Sequence, residues 1–265
     1  MISKLEPYDL SRAKQDMLEH VFSQPPPMPM LEVYQERPQP SILRIRVMDD
    51  LSVKDLQMNR HSPVIMDAVL RSIERSWDKY TEDSTTPNDF MRTSPGALYE
   101  VVAVQGKGRG MIASRDIKAG EIVLEDSPML LLPPDACNTI LLLTLPRKAL
   151  EAILLLHNAK PDKNPLTAAL DVPVHRLLDL ISGILDTNCF DGSASYGKMG
   201  VLLLRGSLFN HSDAANMFHQ WDEAKEMYVF TAQCDIKKGS DLDVNYVSPA
   251  FDPAARAERL KNYGL

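Results

Sequence analysis

Two stretches of the chain, IASRDIKAG at 112–120 and FTAQCDIKKG at 230–239, end in the same five-residue phrase, Asp-Ile-Lys-x-Gly. Each follows a short apolar run and leads into another, EIVLED in the first case and SDLDVNY in the second. Asp can bond its own backbone and Gly tolerates positive φ, so each phrase reads as a tight strand-to-strand connection. One type of hairpin is therefore used twice. Residues 217–221, 227–232 and 242–246 extend the pattern: they alternate in polarity and are split by turn-formers, which is strand rather than helix periodicity.

Inside the second of these regions lies a polar cluster, Asn210-His211-Ser212-Asp213, directly after the apolar residues Val201 to Leu204 and Leu208-Phe209. Polar side chains that dense beside residues that must be buried form either a surface turn or the lining of a site. The region closes on Tyr246. Upstream of the first hairpin phrase, the strand-like LYEVVAV runs into Gly106-Lys107-Gly108-Arg109-Gly110. Alternating glycines let a backbone come close to a ligand, and the two cations add positive charge. The run has neither the spacing of a dinucleotide fingerprint nor the Lys-Ser/Thr of a phosphate loop.

Between the β-rich parts, residues 136–190 turn helical. LPRKALEAILLLHNA is strongly periodic and has Pro146 at its start, where a missing N–H costs nothing. VPVHRLLDLISGILDTN reads as a second amphipathic helix from about Val172. His157 and His175 fall in these helices without ligand-like neighbours and read as structural or solvated. A helical insert between β-rich halves gives an α+β fold of small sheets, not a parallel sheet. Residues 1–95 differ in character and form an N-terminal extension to a domain spanning 96–265. A helix is expected over about 9–22 behind Asp9, a plausible cap. The run PPPMPM then makes an extended linker. The strand-like SILRIRVM follows, and Ser52 is the expected cap of a helical pattern through Met66, Val69, Leu70, Ile73 and Trp77. Glu82 to Asp89 reads as a loop. The extension is either a partner- or substrate-positioning element or a packing appendage.

The 265 residues carry a net charge of −7, which argues against a nucleic-acid binder working by phosphate neutralisation. A basic peptide suits such a surface better. Cys137, Cys189 and Cys234 lie far apart, with no disulfide framework and no zinc spacing. The expectation is reduced, intracellular chemistry in nucleus or cytoplasm, with no signal peptide and no membrane span.

Taken together and in order, GKGRGMIASRDIKAG, LDTNCF, SLFNHSDAAN and AQCDIKKGSDLDVNY resemble the SET domain, the fold of protein-lysine methyltransferases. The resemblance covers roughly Leu98 to Leu265. The helical insert makes the layout most similar to the SET-and-MYND group and to fungal SET proteins. It implies S-adenosyl-L-methionine as cofactor and a protein or peptide bearing a lysine as substrate, a histone tail among the candidates. It is silent on oligomeric state.

The resemblance also assigns roles. Tyr246, closing the run Gly239-Ser240-Asp241-Leu242-Asp243-Val244-Asn245, matches the tyrosine that orients the substrate amine. Asn210 and His211 match the Asn-His pair that contacts the cofactor. Lys107, Gly108, Arg109 and Gly110 match the cofactor loop, and Asn188 matches the Asn of the insert that reaches the cofactor. Phe190 matches an aromatic of the lysine channel. Phe209, Tyr228 and Phe230 read as core. The chemistry implied is in-line methyl transfer to a neutral amine. A lysine of pKa ~10.4 is neutral in only about one part in 10³ to 10⁴ at pH 7, a cost of roughly 4–5 kcal/mol. A narrow apolar channel lowers that pKa by desolvation, and alignment of the reacting atoms supplies the rest.

The chain departs from the family pattern where it reads NHSDAAN in place of NHSCxPN. Asp213 stands where that pattern has a Cys that is often a zinc ligand, and RLKNYGL at 259–265 carries no cysteine. No zinc is therefore expected. Another group must close the lysine channel, with Tyr263 or the N-terminal extension as candidates. The alternative to an active enzyme is a catalytically inactive SET-like scaffold that recruits partners through residues 1–95.

Overall fold

The computed structural model of the protein describes residues 2–4, 10–23, 31–32, 46–49, 52–55, 63–132, 142, 145–160, 173–192, 199–248 and 250–265. In chain order the N-terminal part contains β1 (Ile2–Lys4), α1 (Arg12–Ser23), β2 (Leu31–Glu32), β3 (Arg46–Asp49), β4 (Ser52–Asp55) and α2 (Pro63–Thr81). Then come β5 (Tyr99–Val104), β6 (Gly108–Ala113), β7 (Ile122–Asp126) and β8 (Leu130–Leu132). The insert supplies α3 (Arg147–Leu154) and α4 (Pro173–Asn188), and β9 (Cys189–Asp191) and β10 (Gly200–Leu202) follow. The last part holds β11 (Asn210–His211), β12 (Met217–Asp222), β13 (Met227–Ala232), β14 (Asp243–Val244) and α5 (Pro253–Leu260).

The strands make small sheets in the orders β1-β5-β6, β8-β10-β9, β12-β13-β7 and β2-β3-β4, with β11 and β14 as a parallel pair. This is the α+β architecture expected from the sequence. β5 and β6 form a hairpin whose turn depends on Gly106 and Gly108, both at positive φ (81° and 74°). The β12–β13 hairpin turns through Glu226, the one non-glycine with positive φ among the described residues. Phe209 and Phe230 are fully buried and stack at 4.6 Å beneath this sheet.

α2 is built into the core. Its apolar side, Ala68, Val69, Ile73 and Tyr80, is buried at helical spacing. Its two buried serines solve an edge problem. Ser72 Oγ accepts the N–H of Leu131 at 3.0 Å, and Ser76 Oγ donates to the carbonyl of Met129 at 2.6 Å. β8 is an outer strand of its sheet, and the helix supplies the partners that a further strand would have given. In α4, Leu177, Ile181, Ile184 and Leu185 form the buried stripe.

Several expectations need correction. Ser52 caps no helix: it opens β4 and pairs with Asp49, while α2 starts at Pro63. α1 begins at Arg12, with the Ser11 carbonyl accepting the N–H groups of Lys14 and Gln15 (both 3.0 Å); Asp9, the expected cap, lies outside the described residues. PPPMPM also lies outside them, as does most of SILRIRVM, whose last residues fall in β3. Residues 242–246 are not a third hairpin arm. The preceding residues bond to β6 instead, through Ala113 N to Ser240 O and Leu242 N to Met111 O (both 2.9 Å). This delivers Asp243 and Val244 alongside Asn210 and His211 in parallel. Among the described residues, no helix is long and apolar enough to cross a membrane.

Candidate active site

The parallel β11–β14 pair sits beside the β5–β6 turn, and this junction builds the site. Asn210, on β11, donates through Nδ2 to the carbonyl of Arg109 at 3.0 Å. The two segments approach so closely that a Cβ on Gly110 would lie 2.4 Å from Asn210 Nδ2 and 2.9 Å from Val104 Cγ2. Only a residue without a side chain fits there, which explains the last glycine of the alternating run.

Next to Asn210, His211 accepts the backbone N–H of Tyr246 at Nδ1 (3.2 Å), so its proton resides on Nε2. Nε2 is buried and without a hydrogen-bond partner among the described residues; Asp213 Oδ1 lies 3.6 Å away, an ion-pair distance only. Burial lowers the His211 pKa, opposed by Asp213 and reinforced by Arg256, and favours the neutral ring. Tyr246 occupies the bend after β14. Its hydroxyl donates to the carbonyl of Phe209 at 2.8 Å, and its ring lies 5.3 Å from His211 and 4.9 Å from Tyr263. Burial, then the neighbouring Tyr263 and Asp243, raise the phenol above its ordinary pKa. It remains protonated at neutral pH.

These groups share a cavity of about 710 Å³, within the ~300–1,000 Å³ typical of small-molecule sites. Its lining includes Gly106, Lys107, Gly108 and Arg109, then Asn210, His211 and Tyr246, and Tyr263 to Leu265. The remaining wall is Leu156 to Ala159 with Thr187 and Asn188. Lys107 Nζ lies 3.8 Å from Asp243 across the junction. The guanidinium of Arg109 is engaged by the carbonyl of Leu155 and, at 3.2 Å, by the sulfur of Met91. Buried Asn188 donates from Nδ2 to the carbonyls of His157 and Ile184, both at 2.7 Å.

Two of the expected residues lie outside this lining. Gly110 sits just behind it, under Asn210. Phe190, on β9, belongs to an adjoining aromatic cluster: its ring lies edge-on to His219 at 5.3 Å and to Phe230 at 6.0 Å, and tilted against Tyr228 at 5.2 Å. The Tyr263 ring packs on Tyr246, and burial, reinforced by the charge of Asp191, raises its phenol pKa. Phe209, Tyr228 and Phe230 are buried, as expected of core residues.

The wall at 156–159 carries no signal in the sequence. His157 lies beyond the end of α3 rather than in a helix, and it lines the cavity; burial, then Arg109, lower its pKa. The side chain of His175 is outside the described residues. Cys189 and Cys234 are free thiols, Cys137 lies outside the described residues, and among those residues no cluster of three or more His, Cys, Asp or Glu could hold a metal.

A curated relative is the histone-lysine N-methyltransferase set5 of Schizosaccharomyces pombe, 26% identical over 151 residues. The match covers 57% of this chain and 42% of that protein, so the chain spans less than half of the relative's length. Among solved structures, the SET domain of LSMT bound to lysine and AdoHcy aligns with a TM-score of 0.44 and 15% identity, over 73% of this chain and 56% of that one. Rubisco LSMT bound to AdoMet aligns with a TM-score of 0.43 and 13% identity, over the same shares of 73% and 56%. The SET domain model matches residues 108–247, more than half of the chain and the whole span from the glycine turn to Tyr246, and the chain belongs to the SET domain family.

Proposed function

We propose that this protein is an S-adenosylmethionine-dependent protein-lysine N-methyltransferase, with Tyr246 orienting the amine that accepts the methyl group. The observation that carries this reading is the Tyr246 phenol, bonded to the Phe209 carbonyl at 2.8 Å on a cavity wall shared with Asn210 and His211. The residues fit the cofactor. The cavity volume suits a nucleoside with an amino-acid tail, the glycine turn brings bare backbone to its edge, and the His211 Nε2–H is a buried donor in want of a partner. Lys107, Gly108, Arg109, Asn188, Asn210 and His211 would hold it, with Gly110 allowing the approach. Bound there, S-adenosylmethionine supplies an electrophilic methyl group on a sulfonium.

The protein's own share is positioning and desolvation. The Tyr246 hydroxyl donates its hydrogen bond to the Phe209 carbonyl, which leaves its oxygen lone pairs free to accept from an incoming amine. A phenol with a raised pKa is no general base, so its role is alignment. Removal of the amine's proton is favoured by excluding water between aromatic walls. Tyr263, whose ring lies 4.9 Å from Tyr246, would supply one such wall, and Phe190, in the adjoining aromatic cluster, would supply another beyond the cavity. The substrate is a lysine-bearing protein or peptide; a basic segment such as a histone tail fits the net charge of −7.

Calorimetric titration with S-adenosylhomocysteine, followed by radiolabel transfer onto peptide pools, tests the proposal. Binding with transfer is expected, and Tyr246→Phe should lower kcat by at least about 10²-fold while retaining cofactor affinity. A protein that binds the cofactor but transfers nothing, whatever stands at 246, would instead be a SET-like scaffold.

A further inference from the structure

Residues 155–159 follow the end of α3 without regular structure, yet Leu156 to Ala159 form a wall of the cavity. Backbone groups in such a segment need partners from elsewhere. The carbonyl of Leu155 is met by Arg109, and that of His157 by Asn188 at 2.7 Å. The N–H of Ala159 goes to Thr187 Oγ1 at 3.1 Å. All three of these partners line the cavity themselves. A fourth does not. Lys14, on α1, donates its ammonium to the carbonyl of Leu154, the last residue of α3, at 2.6 Å.

α1 grips α3 at both ends. Lys14 bonds the last residue of α3, and Glu19 lies 2.6 Å from Arg147, the first. Cations at a helix C-terminus meet carbonyls that have no partner within the helix, and they oppose the negative end of its dipole. Here two cations converge on adjacent carbonyls, Lys14 on Leu154 and Arg109 on Leu155. They stand close enough that, after burial, the charge of Arg109 is what lowers the Lys14 pKa. Such crowding is tolerated because the helix end gains both donors.

We infer that Lys14 is a positioning residue for the cofactor: α1, which precedes the matched SET segment, braces the end of α3 from which the 156–159 wall departs and so sets how tightly a nucleoside cofactor is held. This rests on the cofactor reading proposed above. The brace touches neither Tyr246 nor the aromatic cluster, so it should act on binding and leave the transfer step alone.

The test uses the full chain with S-adenosylhomocysteine as probe. Lys14→Met keeps the aliphatic stem and removes the donor; it should weaken the calorimetric Kd roughly tenfold, with kcat at saturating cofactor within about twofold. The melting temperature without cofactor should move by no more than about 4 °C. Lys14→Arg should recover affinity to within about threefold of the unmodified protein. Equal affinities of Lys14→Met and the unmodified protein would overturn this inference alone. A loss of affinity accompanied by an equal loss of kcat and a large fall in melting temperature would also overturn it, reducing Lys14 to a fold contact. An unmodified protein that binds no S-adenosylhomocysteine would overturn the cofactor reading, and this inference with it.

Discussion

Ile117 and Ile236 face each other across an antiparallel bridge, each donating its N–H to the other's carbonyl, at 2.9 and 2.8 Å. Around them the two Asp-Ile-Lys-x-Gly phrases interlock as mirror partners. Lys118 lies 2.7 Å from Asp235 and Lys237 lies 2.7 Å from Asp116. Asp235 also accepts the N–H of Ala119, and Asp116 that of Lys238. The sequence repeat is thus one clasp made of two halves, and it joins the sheet of β6 to that of β13.

The strength of the clasp should come from its buried centre. Ile117 is 1% exposed, and Ile117→Ala should destabilise the protein by about 2–5 kcal/mol. The four charges around it are solvent-exposed, so Asp116→Ala or Asp235→Ala should shift the urea midpoint far less. Urea unfolding of the three variants measures both effects. An aspartate variant as damaging as Ile117→Ala would reverse this ranking.

Gly110→Ala tests the close approach of the glycine turn to Asn210 and the cofactor role proposed for it. A new Cβ would press on Asn210 Nδ2 at 2.4 Å and push that amide off the Arg109 carbonyl. Cofactor affinity should fall about tenfold. In an Asn210→Ala background most of the clash disappears, so the second substitution should cost much less than it does alone. Additive losses across this double-mutant cycle would mean that Gly110 acts through Val104 or the backbone instead.

How far the site was legible from sequence depends on what kind of group does the work. Tyr246, Asn210, His211 and the glycine turn announce themselves because a side chain, or the lack of one, makes the contacts that build the cavity. The wall at 156–159 does not, because it and the helix end before it are held through backbone carbonyls, those of Leu154, Leu155 and His157, met by Lys14, Arg109 and Asn188, and a carbonyl has no residue type. Alternation within 242–246 was visible, but its parallel partner at 210–211 was not, since pairing depends on where residues 240–242 attach. Ser72 and Ser76 are a similar case. On a helical pattern they read as neutral positions, yet they complete the β8 edge.

Asp126 gives a pH dependence with a definite sign. Its carboxylate is buried and accepts the N–H of Gly206 at 2.8 Å, near Arg205 and Lys79. Burial outweighs that bond and the two cations, and the pKa rises from 3.8 to about 6. The native state therefore binds the proton more tightly than the unfolded chain. The resulting stabilisation is fully present below about pH 4 and is lost as the pH rises through about 6. Asp126→Asn keeps an acceptor for Gly206 without the charge. At pH 8 the variant should be more stable than the unmodified protein by up to about 3 kcal/mol, and the gap should close near pH 4. Urea titrations at the two pH values decide it: a variant less stable at pH 8 would show that Arg205 and Lys79 depend on the carboxylate.

Asp213 occupies the position where the resembling family pattern has a cysteine, and it holds the C-terminal helix by charge. Arg256 Nη2, on α5, lies 2.5 Å from Asp213 Oδ1 and 3.3 Å from Asn245 Oδ1. α5 buries no residue of its own; Asp252 caps it by accepting from Ala254 and Ala255, both at 3.0 Å. The arginine ties to the core the segment that carries Tyr263 onto Tyr246. Asp213 is 72% exposed, and an exposed pair contributes under about 1 kcal/mol to global stability. Its effect on the channel wall should be larger than its effect on folding. Asp213→Ala should lower kcat about tenfold and make turnover less sensitive to salt, with cofactor affinity little changed. Tyr263→Ala should reproduce the kcat loss, and the exchange Asp213→Arg with Arg256→Asp should recover part of it. If Asp213→Ala turned over normally while Tyr263→Ala did not, the ring would hold its place through Tyr246 alone and the ion pair would be dispensable.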